Sequence, residues 1–258
     1  MTRLFTRRWL GLTLAVALVA TACVELGLWQ LRRLDQRRAF NAAVTAGVHA
    51  APVPVGEVLA PGRAPAPAAE WRTVTARGRY DAAGEVLVRN RTEGGRVGFE
   101  VLTPLVTDAG AALLVDRGFV PATGSARARP RIPAPASGVV TVTGRVRRGE
   151  AGGRPTEVAG EWSRIDVPRI VAGWPYPAYG GYVELTGQQP PAGPQPAILA
   201  PPQLSEGPHL AYAVQWFAFG LIALGGWVAL TRRELHGDGT AAARADLDRA
   251  LADPGRAG

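Results

Sequence analysis

The stretch His209-Leu210-Ala211-Tyr212-Ala213-Val214-Gln215-Trp216-Phe217 puts an imidazole, an amide and several aromatic rings at the mouth of a membrane-length apolar segment. His209, Tyr212, Trp216 and Phe219 recur at offsets of three, seven and ten, which places them broadly on one helical face. A neutral imidazole can ligate haem iron at one axial position without help from another side chain. Tyr and Trp at a membrane boundary also form ordinary interfacial belts, so the weight of this stretch rests on His209. His49 and His236 lie in contexts that suggest no partner.

A second polar constellation ends the first apolar segment: Glu25-Leu26-Gly27-Leu28-Trp29-Gln30-Leu31-Arg32-Arg33. If the two segments are antiparallel helices, these ends share a leaflet. With a rise of about 1.5 Å per residue, Glu25 lies roughly 9 Å below Leu31 and Gln215 roughly 9 Å below His209. A carboxylate facing lipid is costly, so Glu25 is expected to face a partner, and Gln215 is the one at matching depth. Glu25, Gln30 and Gln215 then either glue the helices together or line a pocket for a polar or propionate-bearing ligand.

Positioning these groups requires two spans with a folded domain between them. In a chain of 258 residues we expect a cytoplasmic N-terminus (1–8), transmembrane helix 1 (9–31), and a helix extension of a turn or two running into a Pro/Ala-rich spacer (32–70). A β-rich extracytoplasmic domain (71–186), a Pro-rich linker (187–208), transmembrane helix 2 (209–230) and a cytoplasmic tail (231–258) follow. Arg3, Arg7, Arg8, Arg232 and Arg233 favour the cytoplasm for both termini, against Arg32, Arg33, Arg37 and Arg38 beyond the first span. The location expected is the plasma membrane, multi-pass.

In the central domain the hydropathy period becomes two. Residues 71–80 and 85–89 flank an Asp81-Ala82-Ala83-Gly84 turn and suggest a hairpin; 99–107 and 111–120 form a second pair around Asp108-Ala109-Gly110. Residues 139–147 and 182–185 add strands, with a short helix near 167–172. The fold class is a membrane protein with two transmembrane helices flanking a mainly antiparallel β domain, α+β overall, the sheet closed or sandwiched.

Composition excludes several functions. The net charge of +8 comes from arginine alone, spread through strands and membrane flanks with no motif that collects it on nucleic acid. The only cysteine, Cys23, lies inside the first apolar segment, so neither a disulfide in the β domain nor a paired-thiol copper carrier is available. Ala20-Thr21-Ala22-Cys23 lacks the larger aliphatic residue of a lipoprotein cleavage signal, and the apolar run continues past it. Gly94-Gly95-Arg96-Val97-Gly98 lacks the strand-turn-helix setting of a phosphate loop, and Ser125, Ser137, Ser163 and Ser205 have no nearby His. No catalytic residue is expected, and the protein is expected not to be an enzyme.

The terminal motifs resemble the Surfeit locus protein 1 family, the membrane-anchored assembly factors of haem-copper terminal oxidases. Leu26-Gly27-Leu28-Trp29-Gln30-Leu31-Arg32-Arg33 is similar to the first-span signature and His209-x-x-Tyr212-Ala213-x-Gln215-Trp216-Phe217 to the second. Between them Trp71-Arg72-x-Val74, Gly78-x-Tyr80-Asp81, Arg89-Asn90-Arg91, Thr103-Pro104-Leu105 and Val115-Asp116-Arg117-Gly118-Phe119-Val120-Pro121 resemble the family's blocks in order. Two positions depart from it: Gly207, where the family often has Asn, and Phe119, where it often has Trp. The resemblance implies help with haem a binding or insertion into cytochrome c oxidase subunit I, together with the haem a synthesis and insertion machinery, in contact with membrane lipid and without nucleic acid. It implies His209 as the axial ligand of haem iron. Tyr212, Trp216 and Trp29 would cover the macrocycle, Gln30 or Arg32 would meet propionates, and Gln215 completes the expected cofactor-binding set. A cofactor-free membrane scaffold for oxidase subunits and an unrelated envelope binding module stay open as alternatives.

Overall fold

The computed structural model describes residues 6–123, 130–150, 152, 156–158, 160–191 and 193–252, the side chains of 236–252 excepted. It contains three α-helices, α1 (Arg7–His49), α2 (Val167–Ile170) and α3 (His209–Ala252), among these residues. Nine strands accompany them: β1 (Val53–Pro54), β2 (Thr73–Tyr80), β3 (Val86–Glu93), β4 (Arg96–Thr107), β5 (Ala112–Pro121), β6 (Val139–Arg147), β7 (Glu157–Val158), β8 (Glu161–Trp162) and β9 (Ala178–Gln189). The chain divides into two compact units, residues 40–204 and the pair formed by residues 1–39 with 205–258.

Residues 40–204 are built around a closed ring of strands. β2 pairs with β6, β6 with β9, β9 with β5, β5 with β4, and β4 returns to β2. Only the β5–β9 contact in this ring is parallel. Numbered along the chain, the ring runs first-fourth-fifth-third-second, the connectivity of a five-stranded OB-type Greek-key barrel. The interior follows from the alternation seen in the sequence: Val74, Ala76, Leu105, Leu113, Val115, Val140, Val142, Val183 and Leu185 all point inward and are buried. The sheet is therefore mixed, with further parallel contacts at β1–β2 and β3–β8.

Closure falls where the sequence permits it. β2 gives one edge wholly to β6; its other edge meets β1 at Val74 and Thr75 and β4 at Gly78 to Tyr80. A Cβ at Gly78 would lie 2.2 Å from the Val106 carbonyl oxygen, so only glycine lets the two backbones meet. On β4, β3 occupies the edge up to Leu102 and β2 takes over at Leu105. Pro104, which has no N–H to offer a neighbour, stands between the two pairings.

Several expectations are corrected here. β2 and β3 do not form a hairpin. The Asp81 side chain accepts the Ala83 N–H at 3.0 Å and caps a 3₁₀ turn over Ala82–Gly84, which turns the chain away; β3 pairs instead with β4 across the Gly94-Gly95 turn. The extension of α1 is not a turn or two but continues unbroken to His49. Residues 50–70 do not form a free spacer: β1 joins the sheet, and Val55, Leu59 and Ala69 are buried in the barrel core. The 187–208 linker is likewise partly docked, with Ala197 exchanging both backbone hydrogen bonds with Phe119 at 2.8 Å. Proline discourages helix and central strand, but it does not prevent short edge segments from burying their apolar side chains.

Trp71 ties the end of α1 to the barrel. It has φ +69°, rare for a bulky residue. Its N–H donates to Val146 O, Arg147 lies 3.8 Å over its ring, and Phe40 meets it edge-on at 6.1 Å. Gly47 accommodates it, since a Cβ there would sit 2.5 Å from Trp71 O.

On the outer barrel face, Arg91 pairs with Glu100 and Glu150, Arg145 and Arg147 with Glu184, and Glu184 stands opposite Asp116 in the β5–β9 register. Asp116 is 2% exposed; its Oδ1 accepts the Gly118 N–H and its Oδ2 has no partner among the described residues. Burial, reinforced by Glu100, pushes its carboxyl well above the usual range. Burial likewise lifts Glu100 from an ordinary 4.5 to about 7, against the pull of Arg91. In this network burial favours the neutral form of the carboxyls despite the three arginines beside them.

Two outcomes are expected in thermal unfolding of the full chain. Gly78→Ala destabilises by about 1–3 kcal/mol through forced overpacking, whereas Gly187→Ala, which meets nothing within 4 Å, is close to neutral. Because Glu100 binds its proton more tightly folded than unfolded, its contribution is complete below pH 4.5 and is lost as pH rises toward about 7. Stability should fall by on the order of 3 kcal/mol across that window, and Glu100→Gln should flatten the slope.

Candidate functional site

The two long helices are each apolar and long enough to cross a membrane. Within the unit of residues 1–39 and 205–258 they pair antiparallel, with matched contacts along their length. Trp227 Nε1 donates to Thr13 Oγ1 at 3.1 Å, Gly220 faces Cys23, Gly27 faces the Phe217 ring, and Gln30 meets His209. Between residues 10 and 39 the positions of α1 that are not exposed are Val16, Ala20, Cys23, Gly27, Gln30, Leu31 and Leu34; those of α3 up to residue 230 are His209, Ala213, Trp216, Phe217, Gly220, Ala223 and Trp227. Leu31 and Phe217 aside, which flank the seam, both series step alternately by four and three, the 3.5-residue repeat of a left-handed supercoil. Small residues at the centre allow close approach: a Cβ at Gly27 would lie 2.7 Å from the Phe217 ring. The outward faces are apolar, with Leu14, Leu18, Leu221 and Ile222 about 70% exposed. Such a surface suits lipid rather than water.

At one end of this seam lies His209. Its Nδ1 is 2.8 Å from Gln30 Oε1. Because a carboxamide oxygen only accepts, Nδ1 carries the hydrogen, and the lone pair of a neutral ring is on Nε2. The Nε2 edge looks toward Gly207, where a Cβ would stand 3.6 Å from Nε2. Gly207 has φ +66°, and its N–H donates to Ser205 Oγ. Among L residues Asn best tolerates that conformation, so Gly207 answers a backbone requirement that Asn would also meet.

A cleft of about 450 Å³ opens beside the imidazole, lined by Arg33, Gln36, Arg37 and His209. Arg33 Nη1 donates to Gln36 Oε1 at 3.0 Å, and its guanidinium lies 5.9 Å from the Trp29 ring centroid. Arg38 makes a bidentate pair with Glu206, at 3.0 and 3.1 Å.

Of the expected set, the fold brings His209 and Gln30 together and places Trp216 on the seam, edge-on to Phe219 at 6.0 Å. Trp29 and Tyr212 are each 46% exposed on the flanks. The expected meeting of Glu25 and Gln215 does not occur; both are exposed. Glu25 lies two residues, about 200°, from both neighbouring seam positions, and Gln215 lies one residue, about 100°, from Trp216, so matched depth did not mean a shared face. Arg32 does not line the cleft. Arg33, Gln36 and Arg37 were missed as lining residues, although their spacing of three and four already placed them on one helical face. Among the described residues His49 bonds its own helix, through Nδ1 to Thr45 O at 2.8 Å.

The left-handed backbone at residue 207 gives a direct check. Gly207→Val is expected to cost about 1–2 kcal/mol of stability, while Gly207→Asn should stay within a few tenths of wild type, as measured by thermal unfolding in detergent.

Comparison with known proteins supplies the family. The model of the SURF1 family matches residues 17–221, a stretch that includes both helix ends and the whole barrel. An uncharacterized SURF1-like protein of Mycobacterium tuberculosis is 35% identical over 223 residues, 83% of this chain and 80% of that protein. A SURF1-like protein of Monosiga brevicollis is 28% identical over 247 residues, covering 88% and 90%. Surfeit locus protein 1 of Takifugu rubripes is 31% identical over 146 residues, covering 50% and 59%. The chain belongs to the SURF1 family, known broadly as cytochrome oxidase assembly factors.

Proposed function

We propose that this protein holds haem a through His209 and assists its insertion into subunit I of a haem-copper cytochrome c oxidase. The observation that carries this reading is the bond from His209 Nδ1–H to Gln30 Oε1. A second group that fixes the tautomer and orientation of an imidazole is the arrangement that readies Nε2 for a metal. The donor chemistry suits the cofactor: one neutral nitrogen for iron, aromatic side chains at Trp29, Tyr212 and Trp216, and cationic groups in the adjoining cleft. Haem a supplies the redox-active iron; the chain's residues bind and orient it. Arg7, Arg8, Arg232 and Arg233 favour the cytoplasm for both termini, which supports an extracytoplasmic side of the plasma membrane for residues 40–204.

Absorption spectroscopy of the full chain purified from cells that make haem a tests this directly. Wild type should show a haem a spectrum and His209→Ala should lose it, whereas an unchanged spectrum in that variant would remove His209 as the ligand. Gln30→Ala should weaken haem affinity by about 10–100-fold while keeping axial ligation.

A further inference from the structure

The cleft beside His209 is cationic in a way that the helix pair does not itself require. Arg33 and Arg37 are one turn apart, about 6 Å along the axis, and both line the same cavity as the imidazole. Arg33 is oriented from two sides, by the Trp29 ring and by Gln36, and neither partner neutralises its charge. Arg37 makes no ion pair or hydrogen bond among the described residues. The neighbouring carboxylate that could have neutralised the cleft, Glu206, is engaged by both its oxygens with Arg38. Arg38 thus spends its charge within the protein, while Arg33 and Arg37 present theirs to the cleft.

We propose that Arg33 and Arg37 receive the two propionate carboxylates of the haem whose iron His209 ligates, and so act as specificity-determining residues for a free-acid tetrapyrrole. This rests on the haem reading above. Guanidinium is the side chain suited to carboxylates because its donors are planar, paired and permanently charged. Its placement on the first helix, with the iron ligand on the second, makes the complete site a property of the paired helices.

The test compares haem a with haem a dimethyl ester, whose carboxylates are masked, in absorption titrations of the full chain in lipid nanodiscs. Wild type should bind the free acid about tenfold more tightly than the ester, the factor that one charge-assisted contact supplies. The Arg33→Gln/Arg37→Gln variant should bind both equally, at the ester's affinity, with the Soret band of axial ligation retained. Wild type indifferent to esterification, or a double variant that keeps the preference, overturns the proposal while leaving His209 as ligand. A His209→Ala protein with an unaltered spectrum overturns the ligand assignment instead, and a wild type that binds neither compound overturns both. If anionic lipid in the nanodisc abolishes the acid-over-ester preference, the cleft serves headgroup phosphates and the proposal is likewise overturned. Circular dichroism and gel filtration establish that each variant is folded.

Discussion

Strand β2 has more neighbours than an ordinary strand can satisfy, and the barrel depends on how it shares them. Its backbone gives one full edge to β6 and divides the other between β1 and β4. The ring closes only because Gly78 lets β4 come within backbone contact and because Pro104 marks the place where β4 changes partner. Once closed, the barrel has no open edges among its five strands. The long crossings between them can then carry additions such as β3, β8 and α2, which cover the outer face around Leu114 and Tyr182.

Many residues of the family-like blocks serve this closure. In the Val115 to Pro121 block, Asp116 accepts the Gly118 N–H, and Gly118, at φ +122°, leaves room for Ala197 O at a point where a Cβ would come within 2.2 Å. Arg117 is 2% exposed and is held by Glu85 and by Pro133 O; burial lowers its pKa against the attraction of Glu85. Asn90, at φ +61°, sits within the bulge between Val88 and Arg91, which aims Arg91 at Glu100 and Glu150. Phe119 packs its ring where a side chain at Gly98 would stand, 2.6 Å away. These positions answer to bulges, tight crossings and buried charge rather than to a ligand.

The helix pair follows a different constraint. Lipid offers no hydrophobic reward for bringing apolar helices together, so a pair placed there would rely on close packing and on polar contacts at the seam. Cys23, Gly27, Ala213 and Gly220 give the first; Thr13 with Trp227 and Gln30 with His209 give the second. The same bond that joins the helices also sets the hydrogen on His209, so packing and site geometry are one arrangement.

Alternation and turn residues were enough to locate the principal strands, and length and hydropathy to locate both long apolar helices, because periodicity is a local property of the chain. The offsets in 209–219 likewise put His209 and Trp216 on one face. Partner choice was not local. Nothing between Tyr80 and Val86 states that β2 pairs with β6 and β4 rather than with β3, since that is decided by strands more than twenty residues away. Depth along two helices placed Gln215 beside Glu25, but the angle around each axis, set by the 3.5-residue seam of small residues, turned both outward and gave Gln30 to His209. The sequence by itself determined which segments are long apolar helix and which are principal strands, and that an imidazole stands at a helix mouth. Only tertiary structure decided what meets that imidazole, because pairing is fixed by which surfaces can approach, not by which residues are near in the chain.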